Sequence, residues 1–297
     1  MKNFFVAVFL SMATTLSAAD FYYIAHRGEY MTLPDEPASE VRKGRVDAPE
    51  GTRPAFERVR DNRVNAVKLD IQYTLDKVVI ISHDTNLKRT TGHDLPIATT
   101  RFEDLKNVPF LKKGTVEGER IITLDDALGI VKDCQLFYVD FKAYTPAMME
   151  DAFKIFEKHG IPTERIVIAT FTKGALRAAQ TSHPEVRRVL HISYTEQPDG
   201  TFQVNGSVSC ADFEEVKTQM QAWKEEMDLY GFNIPVASPY TTPTLVRELK
   251  AEGCWVTLWY GHSTEVADRF RDSGVDGFVT GMPSSLSAYV EGKSRKP

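Results

Sequence analysis

The chain has 297 residues, of which 42% are hydrophobic, 26% charged and 10% aromatic, with three cysteines and a formal net charge of −5. Those figures exclude a disordered chain, a disulfide-stapled miniature, a collagen-like fibre and a strongly basic nucleic-acid binder. Length alone leaves open one domain or two, because an α/β barrel uses about 250 residues in a single unit.

The first element lies outside the fold. Lys2 provides a short positive start, residues 4–16 are apolar but too few to span a bilayer, and Ser17-Ala18-Ala19 offers the small residues that a signal peptidase requires. The sequence therefore predicts a signal peptide over residues 1–19, cleavage near Ala19 and export to the periplasm or beyond, followed by one domain over residues 20–297. No later stretch reaches the roughly 18 apolar residues of a membrane span, so no transmembrane segment is expected. Cys134, Cys210 and Cys254 are odd in number and far apart, which fits neither a disulfide framework nor a zinc pattern. Cys134 and Cys254 each stand just before a strand-like run and read as small buried hydrophobes.

From Tyr22 onward, one alternation repeats. Strand-like runs occupy residues 22–25, 66–73, 78–82, 135–142, 165–170, 188–192, 230–237, 255–260 and 277–280. Helix-like stretches fall at 52–60, 123–132, 146–159, 172–181, 212–227, 242–251, 264–272 and 284–291. Thr52 can cap the first helix with Pro54 in its opening turn, and Thr123 precedes Asp125 and Asp126, acids suited to the positive end of a helix dipole. Gly160, Gly253 and Gly274 follow helices as stops. Strands alternating with helices imply parallel pairing. Eight such units, with a small hairpin insertion at 78–82 after the second strand, predict the α/β class and a single (β/α)8 TIM barrel.

In a barrel of this kind the chemistry gathers at the C-terminal strand ends. The first strand ends in Ala25-His26-Arg27-Gly28, and the second carries Lys68-Leu69-Asp70. A period of two sends Lys68 and Asp70 to one side while Val67, Leu69 and Ile71 turn toward the helices. Ile81-Ser82-His83-Asp84 follows, then Tyr138-Val139-Asp140-Phe141-Lys142, where Asp140 and Lys142 again share a face. So many ionisable groups in apolar strands cost several kcal/mol unless they pair with one another or with a ligand. Two histidines, an arginine, two lysines and two carboxylates are therefore expected to converge.

At these residues the sequence resembles the glycerophosphodiester phosphodiesterase family. The matching segments are Ile24-Ala25-His26-Arg27-Gly28, Ala48-Pro49-Glu50 with Thr52, Leu69-Asp70 with Thr74, and His83-Asp84 with Arg89-Thr90-Thr91. Asp140-Phe141-Lys142, Trp259 and Gly274-Val275-Asp276-Gly277 complete them. The resemblance implies a (β/α)8 barrel that cleaves phosphodiesters, commonly of glycerophosphoryl alcohols, to an alcohol and a phosphomonoester. It implies His26 and His83 as general acid and base, with Arg27 and Lys142 on the phosphate and Trp259 at the substrate. Imidazole suits both proton-transfer roles near neutrality. The expected partner is a small-molecule phosphodiester, not nucleic acid, and the oligomeric state is not legible.

The resemblance also implies a divalent metal, Mg2+ or Ca2+. The family supplies a Glu two residues before the second-strand Asp, that Asp, and an acid on the third strand. Here those positions hold Lys68, Asp70 and Asp140, with Glu50 a further acid nearby. A hard cation wants several oxygen ligands, and an ammonium at a ligand position removes one oxygen and repels the ion. The expectation is that the Lys68 ammonium, paired with Asp70 and Asp140, takes the ion's place. Three functions stay open: a hydrolase, a lyase that forms a cyclic phosphate with the same histidines, and a phosphate or sugar binder without turnover. Tyr260, Gly261 and His262 also depart from the family's Thr-Val-Asn after Trp259, and residues 29–47 form a long segment in the first strand–helix loop, placed to cover the pocket.

Overall fold

The computed structural model describes residues 21–32 and 45–294. The expected signal peptide lies outside the described residues, as does the middle of the 29–47 segment. Eight strands, β1 (Tyr22–His26), β2 (Ala66–Tyr73), β3 (Leu136–Phe141), β4 (Ile166–Thr170), β5 (Arg187–His191), β6 (Gly231–Pro235), β7 (Trp255–Trp259) and β8 (Gly277–Thr280), pair in parallel in chain order. β1 bonds to β8 on one side and β2 on the other, so the sheet closes. One outer helix follows each strand: α1 (Arg53–Asp61), α2 (Leu124–Val131), α3 (Pro146–Lys158), α4 (Lys173–Ser182), α5 (Phe213–Met227), α6 (Pro243–Ala251), α7 (Thr264–Phe270) and α8 (Pro283–Ser294), with the one-turn helices Lys88–Thr91 and Phe102–Leu105 ahead of α2. This is the (β/α)8 barrel expected. Among the described residues, no helix is long and apolar enough to cross a membrane.

The pleat sorts each strand into two faces. Tyr22, Ile24, Ala66, Leu136, Tyr138, Val167, Ala169, Val189, Trp255 and Val279 form one buried cluster, the barrel interior. Their alternates, including Val67, Leu69, Ile71, Phe137 and Val139, join Phe56 of α1, Leu124 of α2 and Met148 of α3 in the larger layer between sheet and helices. Continuing the inner parity toward the C-terminal ends brings His26 on β1, Lys68 and Asp70 on β2, Asp140 on β3 and His191 on β5 to one mouth.

Local chemistry sets the boundaries. The Thr123 hydroxyl accepts from the Asp126 N–H and the Asp126 carboxylate returns the bond, closing a capping box at α2. Thr52 stands at the start of α1, but its hydroxyl donates to the Pro49 carbonyl at 2.7 Å and caps no helical N–H. The turn carrying Glu50 is thereby tightened. Cys134, Cys210 and Cys254 are all buried free thiols.

Three loop excursions shape the mouth. Strand Val79–Ile81 pairs antiparallel with β2, Ile71 opposite Ile81, and the rest of that connection packs Ile80, Leu87, Ile97, Leu105, Phe110 and Ile121 into a core of its own. The segment that carries His83 thus lies between residues of a packed apolar cluster, Ile80 before it and Leu87 after it. In the 29–47 segment, Met31–Thr32 pairs with Arg45–Val46, while the buried Glu29 carboxylate accepts from the Ser284 N–H at 3.2 Å and from the Ser284 hydroxyl, capping α8. An element the sequence reading missed follows β5: a three-stranded antiparallel sheet of Tyr194–Glu196, Phe202–Val204 and Val208–Cys210. Asn205 and Gly206, at φ 48° and 68°, make its second turn.

Candidate active site

The backbone at the end of β1 is tightly turned. Arg27 has φ 59°, a left-handed conformation uncommon outside glycine, and Gly28 follows at φ 82°. A Cβ on Gly28 would lie 2.8 Å from Ala55 Cβ and 2.9 Å from the Ala55 carbonyl carbon, so this position excludes any side chain. The turn points the Arg27 guanidinium back over the mouth, where NH1 donates to Glu50 Oε1 at 2.6 Å and Nε lies 3.7 Å from Asp70 Oδ2.

Strand register places the other charges. Lys68 neighbours His26 across the β1–β2 pair, and Asp70 stands opposite Asp140 across β2–β3. The Lys68 ammonium, 4% exposed, donates to Asp70 Oδ1 and, at 2.9 Å, to Asp140 Oδ2. Lys142 bridges the same pair, 2.6 Å from Asp140 Oδ2 and 3.2 Å from Asp70 Oδ1. Burial alone would raise both carboxyls, but Lys68 and Lys142 outweigh it and hold them well below the usual carboxylate range. For Lys142 burial opposes the charge, and the two carboxylates nevertheless raise its affinity for the proton.

The histidines differ. His26 is 3% exposed, its ring centroid 4.9 Å from that of Tyr260, and burial together with the Arg27 and Lys68 cations drives its proton affinity well below the ordinary imidazole value. His83 stands at the rim, its Nδ1 2.7 Å from Asp84 Oδ1. A carboxylate only accepts, so in a neutral His83 the proton sits on Nδ1 and Nε2 presents a lone pair. Burial lowers the His83 proton affinity, with Lys142 and Arg27 adding to it and Asp70 and Asp84 opposing.

Every residue singled out from the sequence therefore meets at one barrel end, except that Trp259 stands on the wall. Its indole N–H donates to the Asn233 carbonyl at 3.2 Å, leaving the ring against Phe171 and Tyr260 as its contribution. The sequence reading missed His191, which is buried, its Nε2 3.5 Å from Asp140 Oδ2 and short of a completed hydrogen bond at that nitrogen. Behind it runs a buried relay: Tyr138 hydroxyl to Thr257 hydroxyl at 2.9 Å, Thr257 to Asn233 Oδ1 at 3.0 Å, and Asn233 Nδ2 to His191 Nδ1 at 3.1 Å. Because the Asn233 amide donates to Nδ1, the His191 proton sits on Nε2 and faces Asp140. Four atoms at this mouth, His26 Nδ1, Arg27 Nε, Asp70 Oδ2 and His191 Nε2, are buried without a hydrogen-bond partner. Buried polar groups are normally satisfied, and several left open together mark a place where a ligand completes the bonding.

Asp70 and Asp140 each face two ammonium groups, and Glu50 is taken by Arg27 and Arg89. No group of three or more His, Cys, Asp or Glu side chains able to hold a metal ion occurs among the described residues. These side chains fit an ammonium-centred site and do not fit a hard cation with several oxygen ligands.

Stability should report on the buried imidazoles. His262 is pushed down to about 4 by burial and by Arg27, and His191 and His26 are lowered as well. A histidine whose folded value lies below its unfolded one stabilises the fold above pH ~6.5 and loses that contribution as pH falls toward the folded value. The wild type should therefore lose of order 3 kcal/mol between pH ~6.5 and ~4 through His262 alone. Urea unfolding across this window checks it: His262→Asn should flatten the slope, and an unchanged slope contradicts the assignment.

The chain is similar to known proteins over most of its length. The model of the glycerophosphoryl diester phosphodiesterase family matches residues 26–284. A glycerophosphodiester phosphodiesterase of Caldanaerobacter subterraneus subsp. tengcongensis is 24% identical over 273 residues, 90% of this chain and 96% of that protein. Among solved structures, an Oleispira antarctica phosphodiesterase in complex with the product sn-glycerol-3-phosphate superposes with a TM-score of 0.66 at 20% identity, covering 90% of this chain and 96% of that one. The Thermotoga maritima glycerophosphodiester phosphodiesterase superposes with a TM-score of 0.61 at 19% identity, covering 91% and 97%.

Proposed function

Because the chain belongs to the glycerophosphoryl diester phosphodiesterase family, and is on that ground a phosphoric diester hydrolase acting on glycerophosphodiesters, we propose that it cleaves them by His26/His83 acid–base catalysis around a fixed ammonium. The observation that carries this reading is the convergence at one mouth of Arg27, Lys68 and Lys142 with two imidazoles and four unsatisfied buried atoms. A phosphodiester in transit to its products gathers negative charge on the non-bridging oxygens, and preorganised cations in a water-poor pocket stabilise it. His83, with Asp84 holding Nδ1–H, offers Nε2 to take a proton from the attacking water. His26 supplies the proton to the leaving alkoxide. Arg27 and Lys68 disfavour its protonated form in the free protein, and a bound phosphodiester anion offsets them, so the acid is armed when substrate arrives.

Members of the family commonly use a divalent metal. Exchanging the family's glutamate for Lys68 raises the local charge by two, the same increment a divalent ion supplies, which supports Lys68 as its replacement. The bound sn-glycerol-3-phosphate of the Oleispira antarctica protein supports a glycerol phosphate product here as well. Lys2, the apolar run behind it and Ser17-Ala18-Ala19 support a reaction carried out after export.

The test is a panel of glycerophosphodiesters followed by phosphorus NMR. We expect a phosphomonoester and a free alcohol. A cyclic phosphate as the end product would replace hydrolysis by internal attack, and binding without turnover of any member would replace catalysis by recognition.

A further inference from the structure

We propose that Arg89 is a positioning residue, a single guanidinium that fixes His83 through Asp84 and Arg27 through Glu50. It sits at the rim on the short helix Lys88–Thr91, with its side chain half exposed. Nε donates to Asp84 Oδ2 at 2.5 Å, NH2 to Glu50 Oε1 at 2.5 Å and NH1 to Glu50 Oε2 at 3.2 Å. The other Asp84 oxygen meets His83 Nδ1 at 2.7 Å, and Glu50 Oε1 also accepts from Arg27 NH1 at 2.6 Å. One planar fork therefore joins Glu50, in the β1–α1 connection, to Asp84, in the β2–α2 connection, two loops that are tied to each other by side chains and not by a strand pairing of their own. Only arginine offers three donors in a rigid plane, and a lysine ammonium is a point charge that cannot present the same fork.

The main chain beneath this fork is anchored without Arg89. The Asp84 carbonyl accepts from Gln72 Nε2 at 2.5 Å and from the Ser82 hydroxyl at 2.9 Å, and the Thr91 hydroxyl donates to the Leu87 carbonyl at 2.8 Å. Removing the guanidinium should leave the loop in place and free the side chains it ties. It should also alter the field on His83. The charged and titratable groups facing that imidazole are Asp84 on its own segment, Asp70 of β2, Lys142 beyond β3, Arg27 beyond β1 and the His26 imidazole of β1. Arg89 neutralises Asp84, so its loss exposes His83 to an unopposed carboxylate and favours the imidazolium.

This rests on His83 acting in the reaction, and the experiment separates the two ideas. Profiles of kcat/KM against pH on a glycerophosphodiester are to be measured for the wild type, Arg89→Gln, Arg89→Lys, Asp84→Asn and His83→Asn, with circular dichroism to confirm folding. Arg89→Gln should lower kcat/KM by roughly 10- to 100-fold, mostly in kcat, as misplacement of reacting groups does. Its His83 limb should move to higher pH, whereas that of Asp84→Asn should move to lower pH. Arg89→Lys should recover only part of the activity. Wild-type activity and profile in Arg89→Gln, or limbs displaced in the same direction in both variants, would overturn the proposal. Should Arg89→Gln fail to fold, Arg89→Lys and Asp84→Asn interrogate the same link. Full activity in His83→Asn would remove the acid–base assignment itself, whereas an inactive His83→Asn beside an unaltered Arg89→Gln removes only the role of Arg89.

Discussion

Lys68→Met is expected to lower kcat/KM by about 10²- to 10³-fold, the range seen when one preorganised electrostatic donor is removed. The wild type should be indifferent to a chelator. Lys68 is buried between Asp70 and Asp140, so its loss leaves two carboxylates bridged by Lys142 alone, with Arg27 3.7 Å from Asp70 as the other nearby cation. Breaking a buried ion pair by removing one partner costs about 3–5 kcal/mol, and urea unfolding must be run alongside to separate inactivity from unfolding. Lys68→Glu is the sharper experiment. It puts a third acid beside Asp70 and Asp140, creating the oxygen-rich cluster a hard cation requires. That variant should be inactive as purified and regain part of its turnover in millimolar Mg2+ or Ca2+. Wild-type activity abolished by chelator and restored by metal would instead show that the ammonium is no substitute for the ion.

The second large effect is expected at the imidazoles. His26→Ala and His83→Ala should each lower kcat by about 10²- to 10⁴-fold, the contribution general acid–base catalysis usually makes. They should differ in substrate dependence. A diester with a good leaving group, such as a nitrophenol, needs little protonation as it departs, so His26→Ala should be largely rescued on it while His83→Ala is not. His26 is the more buried of the two and carries an unsatisfied Nδ1, so its alanine variant also leaves a void beside Tyr260. His26→Gln, which fills that space, guards against reading a packing defect as a catalytic one. Equal rescue of both variants would show that the acid and base have been divided wrongly between them.

Most of the barrel was legible because two periods suffice for it. Alternation along 66–73 foretold that Lys68 and Asp70 share a face, and the interior cluster containing Ala66 sits on that face. What escaped depends on strand register. Asn233 stands opposite His191 on one side and Thr257 on the other, and nothing local to 191, 233 or 257 announces that these three residues from different strands will form one hydrogen-bonded relay. The only available signal was a histidine directly after Val189 and Leu190 at the C-terminal end of a strand. The antiparallel sheet after β5 was a different failure. Asp199-Gly200 and Asn205-Gly206 are hairpin signals, but its strands of three residues are too short for alternation to stand out. Glu29 read only as the first residue of a segment placed to cover the pocket, whereas its carboxylate caps α8, a partner 255 residues away that local patterning cannot reveal.

That carboxylate has a consequence for the order in which the molecule is assembled. His26 and Arg27 belong to the first strand, yet β1 lies between β2 and β8, and the loop behind Arg27 is tied by Glu29 to the last helix. Contacts of such sequence separation form late, after the closure entropy of nearly the whole chain has been overcome. A nascent chain therefore has its lysines and aspartates early, and the turn that aims Arg27 can lean on Gly51 and Ala55, but β1 gains its second neighbour and Glu29 its partner only when β8 and α8 arrive. The two ends of the chain thus close the ring that carries the site, and a partly synthesised molecule lacking β8 and α8 carries the right side chains on a sheet that is still open.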